Sequence, residues 1–162
     1  MAKKIKTEVL PLKGLPVLQF GDTVDQIEFL MGPPEETETL DPGEEGEFPM
    51  LVYYYWDDCI TFFFNASAEK PYLIMMETDD LDAMLFDKKI FKLKPQEVVS
   101  LLAGNKSFEY EKETEAWGQT RYSWDDLNMD FYFEGNKLET LTWGAQLDED
   151  LRVIIPELRP GT

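Results

Sequence analysis

The sequence predicts an α+β fold: two helix-plus-four-strand repeats that form one continuous, curved antiparallel sheet, with the helices packed on one face. Two internal matches, each followed by a series of strand-like runs, lead to this prediction. Residues 21–32 match residues 93–104 in the spacing of their apolar and glycine positions. The motif Tyr-x-Trp-Asp-Asp of residues 54–58 recurs, in the same order along the chain, at residues 122–126. Matched segments in the same order favour a duplicated unit.

The first matched pair has the end signals of short helices. Thr23 and Gln26 are spaced as a capping box, which satisfies free backbone donors at a helix start. Pro95 suits the first turn of the second helix, because its fixed φ is already helical. Gly32 and Gly104 are placed to end the two helices.

Four strand-like runs follow each predicted helix, rich in aromatic and β-branched residues and separated by turn residues. The runs are 36–40, 50–56, 60–65 and 72–77 in the first unit, and 108–114, 118–124, 128–134 and 138–143 in the second. The Asp pairs at 57–58 and 125–126, and the segment 134–137, are expected at hairpin bends.

The repeat divides the chain into five parts. We expect an N-terminal arm at 1–19, a first repeat at 20–80, a connector at 81–92, a second repeat at 93–146 and a C-terminal tail at 147–162. Residues 83–91 of the connector could add an extended segment, residues 41–47 form an acidic loop, and the apolar run 153–156 indicates that the tail docks on the rest of the molecule.

The chain is strongly acidic, with 33 carboxylate side chains against 15 basic ones and a net charge of −18. Such a charge repels nucleic-acid phosphates and anionic membranes, so neither is an expected partner. No stretch approaches the roughly 18 apolar residues of a membrane span, and the basic start at residues 3–6 precedes no apolar signal segment, so we expect the cytoplasm. The charge favours attraction to a basic protein, but solubility alone is the more common reason for such a charge.

Several catalytic chemistries lack their residues. The chain has no histidine, a single cysteine, Cys59, and no glycine-rich phosphate loop. This excludes histidine-dependent nucleophiles and the usual zinc sites. Carboxylates remain, but the Asp pairs at 57–58 and 125–126 are better explained as turn residues. We therefore expect no enzyme activity, no cofactor and no metal.

The helix signature Gly21-x-Thr23…Leu30-x-Gly32-x-Pro34 and the aromatic hairpins give the chain a family resemblance over residues 20–146. The tandem arrangement resembles the β-lactamase-inhibitor proteins, and the single unit is similar to the small outer-membrane lipoproteins related to BamE. The first resemblance implies a protein that binds its partner through the concave face of the sheet.

Alternation along the strands suggests which residues would bind. The matched Tyr54, Trp56, Tyr122 and Trp124 are expected on the core side, because both copies share them. The opposite face is then the candidate partner-binding surface, with Tyr53, Tyr55, Phe63, Arg121, Asp130 and Tyr132.

Together these observations favour a non-enzymatic protein-binding domain of the immunity or inhibitor kind, which blocks a partner as a monomer or weak dimer. Two alternatives stay open. One is a structural or envelope-assembly module, and the other is an acidic nucleic-acid mimic that sequesters a basic protein.

Overall fold

A computed structural model describes residues 5–42 and 48–155 of the chain. Among these residues the helices are α1 (Val24–Met31) and α2 (Pro95–Gly104), and short 3₁₀ turns cover Trp56–Asp58 and Ile90–Lys92. The strands are β1 (Glu8–Val9), β2 (Gly14–Leu15), β3 (Leu18–Gln19), β4 (Glu36–Leu40), β5 (Met50–Tyr55), β6 (Ile60–Asn65), β7 (Tyr72–Thr78), β8 (Met84–Leu85), β9 (Lys88–Lys89), β10 (Glu111–Thr114), β11 (Thr120–Trp124), β12 (Met129–Glu134), β13 (Lys137–Gly144), β14 (Gln146–Leu147) and β15 (Val153–Ile154).

An antiparallel sheet of eight strands dominates the fold, in the order β4-β5-β6-β7-β13-β12-β11-β10. Each set of four strands is consecutive along the chain, and the sets join where Met75–Thr78 of β7 pair with Leu141–Gly144 of β13. The predicted α+β class and its antiparallel sheet are therefore confirmed. Each of the eight long strands falls on one of the eight predicted runs, with ends that differ by up to three residues.

One face of this sheet, the core face, is buried. Its buried side chains are Tyr55, Ile60, Phe62, Phe64, Leu73, Met76, Thr78, Leu138, Leu141, Trp143, Met129, Phe131, Phe133, Tyr122 and Trp124. The apolar side chains among them form one cluster with Ile27 of α1 and with Val98 and Leu102 of α2, so both helices pack on this face. Burial of each large apolar side chain contributes about 1.5–3 kcal/mol before the entropy cost of ordering it.

The N-terminal arm packs on the core face where the two sets of strands meet. The hairpin β2–β3 buries Leu15 and Leu18, and the indole N–H of Trp143 donates to the carbonyl of Gly14 at 3.2 Å. Strand β1 pairs in parallel with β8, which forms a hairpin with β9. The extended segment expected in the connector is thus present, but it belongs to a small separate sheet.

The helix ends follow local chemistry. Thr23 and Gln26 form the predicted capping box: the Thr23 N–H donates to Oε1 of Gln26 at 2.7 Å, and the Gln26 N–H donates to Oγ1 of Thr23 at 3.4 Å. Gly32 ends α1 with a φ of 80°, as predicted. Gly104 was expected to end α2 in the same way, but it is the last helical residue, and the left-handed conformation falls on Lys106 with a φ of 70°.

The C-terminal tail docks on the core as far as it is described. Val153 and Ile155 pack against the core cluster, and the hydroxyl of Tyr72 donates to the carbonyl of Leu151. Residues 43–47 of the acidic loop, residues 1–4 of the arm and residues 156–162 of the tail lie outside the described residues.

The close approach of the arm to the sheet predicts a large difference between two glycine substitutions. Gly14 has a φ of 125°, and an added Cβ would lie 2.9 Å from the carbonyl oxygen of Leu18 and 3.0 Å from Cε of Met76. We expect Gly14→Ala to lower the free energy of unfolding by about 2 kcal/mol or more. Gly104→Ala is the matched control, because a Cβ there meets nothing within 4 Å and should stabilise α2 by about 0.5 kcal/mol. Urea denaturation would measure both, and equal midpoints would contradict this packing.

Candidate interaction surface

The face of the sheet opposite the core face is called the open face here. Its central residues alternate with those of the core face along each strand: Val52, Tyr54, Thr61, Phe63, Met75, Glu77, Thr140, Thr142, Asp130, Tyr132, Arg121 and Ser123. None of them belongs to the core cluster, which holds the buried residues of both helices. Apart from Val52 and Thr61, they are partly exposed. The open face is therefore the surface that the described helices leave available for binding.

Four of the six predicted binding residues lie on the open face. Arg121 and Tyr132 are directly opposite each other on β11 and β12, and Asp130 lies opposite Ser123 two residues further along each strand. Burial and the neighbouring Asp130 carboxylate raise the pKa of Tyr132. Phe63 lies on the other half of the sheet, with β7 and β13 between it and β12.

The predicted placement of Tyr53 and Tyr55 on the binding face is wrong. Tyr55 is only 2% exposed, and its hydroxyl donates to the Gly32 carbonyl at 2.8 Å, beneath α1. Burial raises the pKa of this phenol. Tyr53 packs edge-on against Phe64 of the core, with 5.2 Å between ring centroids.

The reverse error concerns Tyr54 and Trp56, which were expected in the core. Tyr54 lies on the open face, and Trp56, in the 3₁₀ turn after β5, is 54% exposed. The matching residues of the second half, Tyr122 and Trp124, are buried as predicted.

A one-residue misalignment explains both errors. Tyr53 pairs with Phe62, and Tyr122 pairs with Phe131 in the same way, which gives an offset of 122 − 53 = 69. The left-handed residue after each bend is Cys59 in one half and Asn128 in the other, again 69 apart. The two copies of the motif Tyr-x-Trp-Asp-Asp, by contrast, are separated by an offset of 68 residues. Because a slip of one residue moves a side chain to the other face, the motif assigned the wrong face in the first half.

A groove of about 370 Å³ opens near the place where β7 meets β13. It is lined by Tyr54, Trp56, Cys59, Ile60, Thr61, Glu77, Thr78, Asp79 and Thr140. None of these was predicted as a binding residue. The groove is small for a drug-sized ligand but wide enough for one side chain of a partner.

Two aromatic rings form one wall of the groove. Tyr54 and Trp56 stack with centroids 5.6 Å apart and an interplanar angle of 30°. The Tyr54 hydroxyl donates to Oε1 of Glu38 at 2.6 Å. This bond, together with burial and the charges of neighbouring carboxylates, raises the pKa of Tyr54 to about 12. The Glu35 carboxylate accepts from the backbone N–H groups of Trp56 and Asp57, at 2.7 and 3.2 Å, and so holds the turn that presents the indole.

Glu77 lies in the groove, at the junction of the two sets of strands. Burial raises the pKa of this carboxyl, the charge of Asp79 raises it further, and a hydrogen bond from Thr142 lowers it. That hydrogen bond is long, with 3.5 Å between Oγ1 of Thr142 and Oε1 of Glu77. The carboxylate is thus partly removed from water and only weakly compensated by its neighbours.

Glu77 also belongs to a continuous row across all eight strands of the open face. Directly paired positions give the order Glu36, Tyr54, Thr61, Glu77, Thr142, Asp130, Ser123, Glu111. The row holds carboxylates and hydroxyl groups but no base.

The arginine of the open face is already paired. Nη2 of Arg121 lies 2.8 Å from Glu113, and its Nε lies 3.1 Å from Glu115. Nearby, Trp117 is 64% exposed and stacks on Tyr132 with 6.4 Å between centroids. This end of the face combines exposed aromatic surface with a neutralised cation.

Within residues 5–42 and 48–155, no three Cys, Asp or Glu side chains are grouped so that they could hold a metal ion. Neither described helix is long and apolar enough to cross a membrane. No protein-family model matches the chain, and neither a curated protein nor a solved structure shows significant similarity to it.

The surroundings of Glu77 predict a pH-dependent effect on stability. The folded-state pKa lies above the usual 4.5, so the ionised carboxylate lowers the free energy of unfolding at pH 7, and this penalty disappears as the pH falls below 4.5. Glu77→Gln imitates the protonated form. We expect it to unfold at higher urea concentration than the wild type at pH 7, with the difference shrinking towards zero near pH 4.

The control for this experiment is Glu69→Gln, which removes an exposed carboxylate in the loop after β6. It should leave the urea midpoint nearly unchanged at both pH values. A Glu77→Gln variant no more stable than the wild type at pH 7 would contradict the desolvation of Glu77.

Proposed function

We propose that this chain is a non-enzymatic protein-binding domain of the immunity or inhibitor kind, which blocks a partner protein through the open face. The observation that carries the proposal is the composition of that face. Partly exposed Tyr132, Phe63 and Met75 share a regular surface with hydroxyl groups and charges, while the helices pack on the other side. Aromatic residues, methionine and arginine are the residues enriched in protein interfaces.

The size of the open face supports a partner that is itself a protein. Eight strands about 4.8 Å apart give a width of roughly 34 Å. The strands average about six residues at ~3.4 Å each, so the face measures roughly 700 Å². This is close to the ~800 Å² that each partner contributes to a standard protein–protein interface. The exposed Trp117 and Trp56 lie towards opposite ends of it and would anchor the partner at two places.

We also propose that the two sets of strands, each preceded by a capped helix, are copies of one α–β4 repeat. The capping box at Thr23–Gln26 and the matching bond from the Lys94 N–H to Oε1 of Glu97 at 2.9 Å support this. The left-handed residues Cys59 and Asn128 support it as well. The arrangement agrees with the resemblance to the β-lactamase-inhibitor proteins, which bind through a sheet face. We propose that the chain acts in the cytoplasm as a monomer or weak dimer.

A nucleic-acid mimic is the second candidate, favoured by the row of carboxylates across the open face. Glu77, Asp130 and Glu111 are each two strands apart, so their spacing is about 10 Å. Duplex DNA carries one charge per ~1.7 Å of its axis. The row is therefore much sparser than a phosphate backbone, and the aromatic residues beside it favour the first candidate.

A tagged pull-down from the native host with two alanine variants tests the proposal. The tagged chain should retain one stoichiometric protein at both low and high salt. Tyr132→Ala should weaken binding at least 30-fold, as expected of an interface hot spot, and leave the melting temperature nearly unchanged.

Phe29→Ala is the matched control, because Phe29 is an aromatic residue of α1 that is 95% exposed. Its substitution should leave binding intact. Equal retention of the partner by the Tyr132→Ala variant would refute the face assignment, and a basic protein lost at high salt would move the mimic to first place.

A further inference from the structure

The groove at the junction of β7 and β13 combines three features in one small volume. The stacked Tyr54–Trp56 pair forms an aromatic wall, and the Trp56 ring is more than half exposed. Hydroxyl groups of Thr61 and Thr140 line it, and the carboxylate of Glu77 lies within it. Tyr54, Thr61, Glu77 and Thr140 belong to the open face. A molecule bound to that face would therefore meet the groove where β7 ends beside β13.

The charge of the groove is uncompensated. Glu77 and Asp79 line it, and none of its lining residues is basic. Arg121, on the same face, lies in a neighbouring row and is engaged by Glu113 and Glu115. A cation that enters the groove therefore meets negative charge that no described residue of the open face neutralises.

Aromatic and acidic groups together select the kind of cation. A guanidinium lies flat on an indole or phenol ring and gains a cation–π interaction within about 6 Å of the ring centroid. Its edge can at the same time donate hydrogen bonds to a carboxylate, which are stronger than those between neutral groups. An ammonium group is a point charge and does not match a planar wall and an acceptor in this way.

We propose that the groove receives an arginine side chain of the partner protein, with its guanidinium stacked on the Tyr54–Trp56 pair and hydrogen-bonded to Glu77. This inference rests on the proposed function, which it deepens by naming the chemistry of the partner at this groove of the open face. The arriving charge also relieves the unfavourable burial of Glu77, because an adjacent cation favours the ionised carboxyl.

An NMR titration tests the site without knowledge of the partner. The probe is N-acetyl-L-arginine N-methylamide, and N-acetyl-L-citrulline N-methylamide is its neutral analogue of similar shape. The arginine probe should cause saturable shifts of the Trp56 indole N–H and of the backbone amides of Thr61, Glu77 and Thr142. The citrulline probe should leave these signals unmoved.

Two charge variants make the titration specific. Glu77→Gln should weaken binding of the arginine probe about tenfold, which corresponds to the loss of one charged partner. Glu69→Gln changes the net charge by the same amount in an exposed loop beyond the far end of β6 and should not alter the affinity. The amide spectra of both variants show directly whether each remains folded.

Three results would overturn the inference: equal shifts with both probes, equal weakening by Glu77→Gln and Glu69→Gln, or shifts spread over the acidic surface with no maximum at the groove. The pull-down separates this failure from failure of the proposed function. If the Tyr132→Ala variant loses the partner but the Glu77→Gln variant retains it as well as the wild type, the binding face stands and the proposed arginine contact is refuted. A partner held by both variants would remove the binding face itself.

Discussion

The pairing of β7 with β13 joins the two halves of the molecule into one sheet. Backbone hydrogen bonding between residues 75–78 and 141–144 turns two four-stranded sets into one sheet of eight. Without it, each set would expose an additional edge, and the row across the open face would be interrupted between Glu77 and Thr142. The core face stabilises the same junction, because Trp143 and Met76 are buried there and the arm covers them through Gly14. The groove depends on the same pairing, because Glu77 from β7 and Thr140 from β13 line it on either side of this junction.

The two faces of the sheet have different roles: the core face stabilises the fold, and the open face carries the groups available for binding. Apolar burial on the core face supplies the stability that allows the open face to keep partly desolvated polar groups such as Glu77. The outermost strands show how the acidic charge is used. Glu36 and Glu38 on β4, and Glu111 and Glu113 on β10, are all exposed. Charged side chains on edge strands disfavour strand addition by another copy, so the broad face stays available while the edges resist association.

Short-range chemistry accounts for what the sequence could predict. The long strands were predicted because aromatic and β-branched runs alternate with turn residues, and α1 because the Thr23 capping box is a local signal. Strands β1 and β8 have two residues each and exist through a parallel pairing of Glu8 with Met84, which leaves no periodic pattern in the sequence. The role of Glu77 likewise depends on the register between β7 and β13, across more than 60 residues of chain. The face of Tyr54 and Tyr55 was misassigned because a one-residue slip in a matched motif reverses every side chain, and only the pairing with β6 resolves it.

Amide hydrogen exchange at the junction of β7 and β13 tests whether the eight strands unfold as one sheet. The Ala145 N–H, which donates to the carbonyl of Ile74 at 2.9 Å, reports on the junction beside β7 and β13. Amides within β6 and β12 report on the interior of each set of strands. If the eight strands form one cooperative sheet, the Ala145 amide exchanges only through global unfolding, with the same free energy of opening as those interior amides. Exchange at Ala145 that is orders of magnitude faster, while β6 and β12 stay protected, would show that the two sets of strands open as independent sheets.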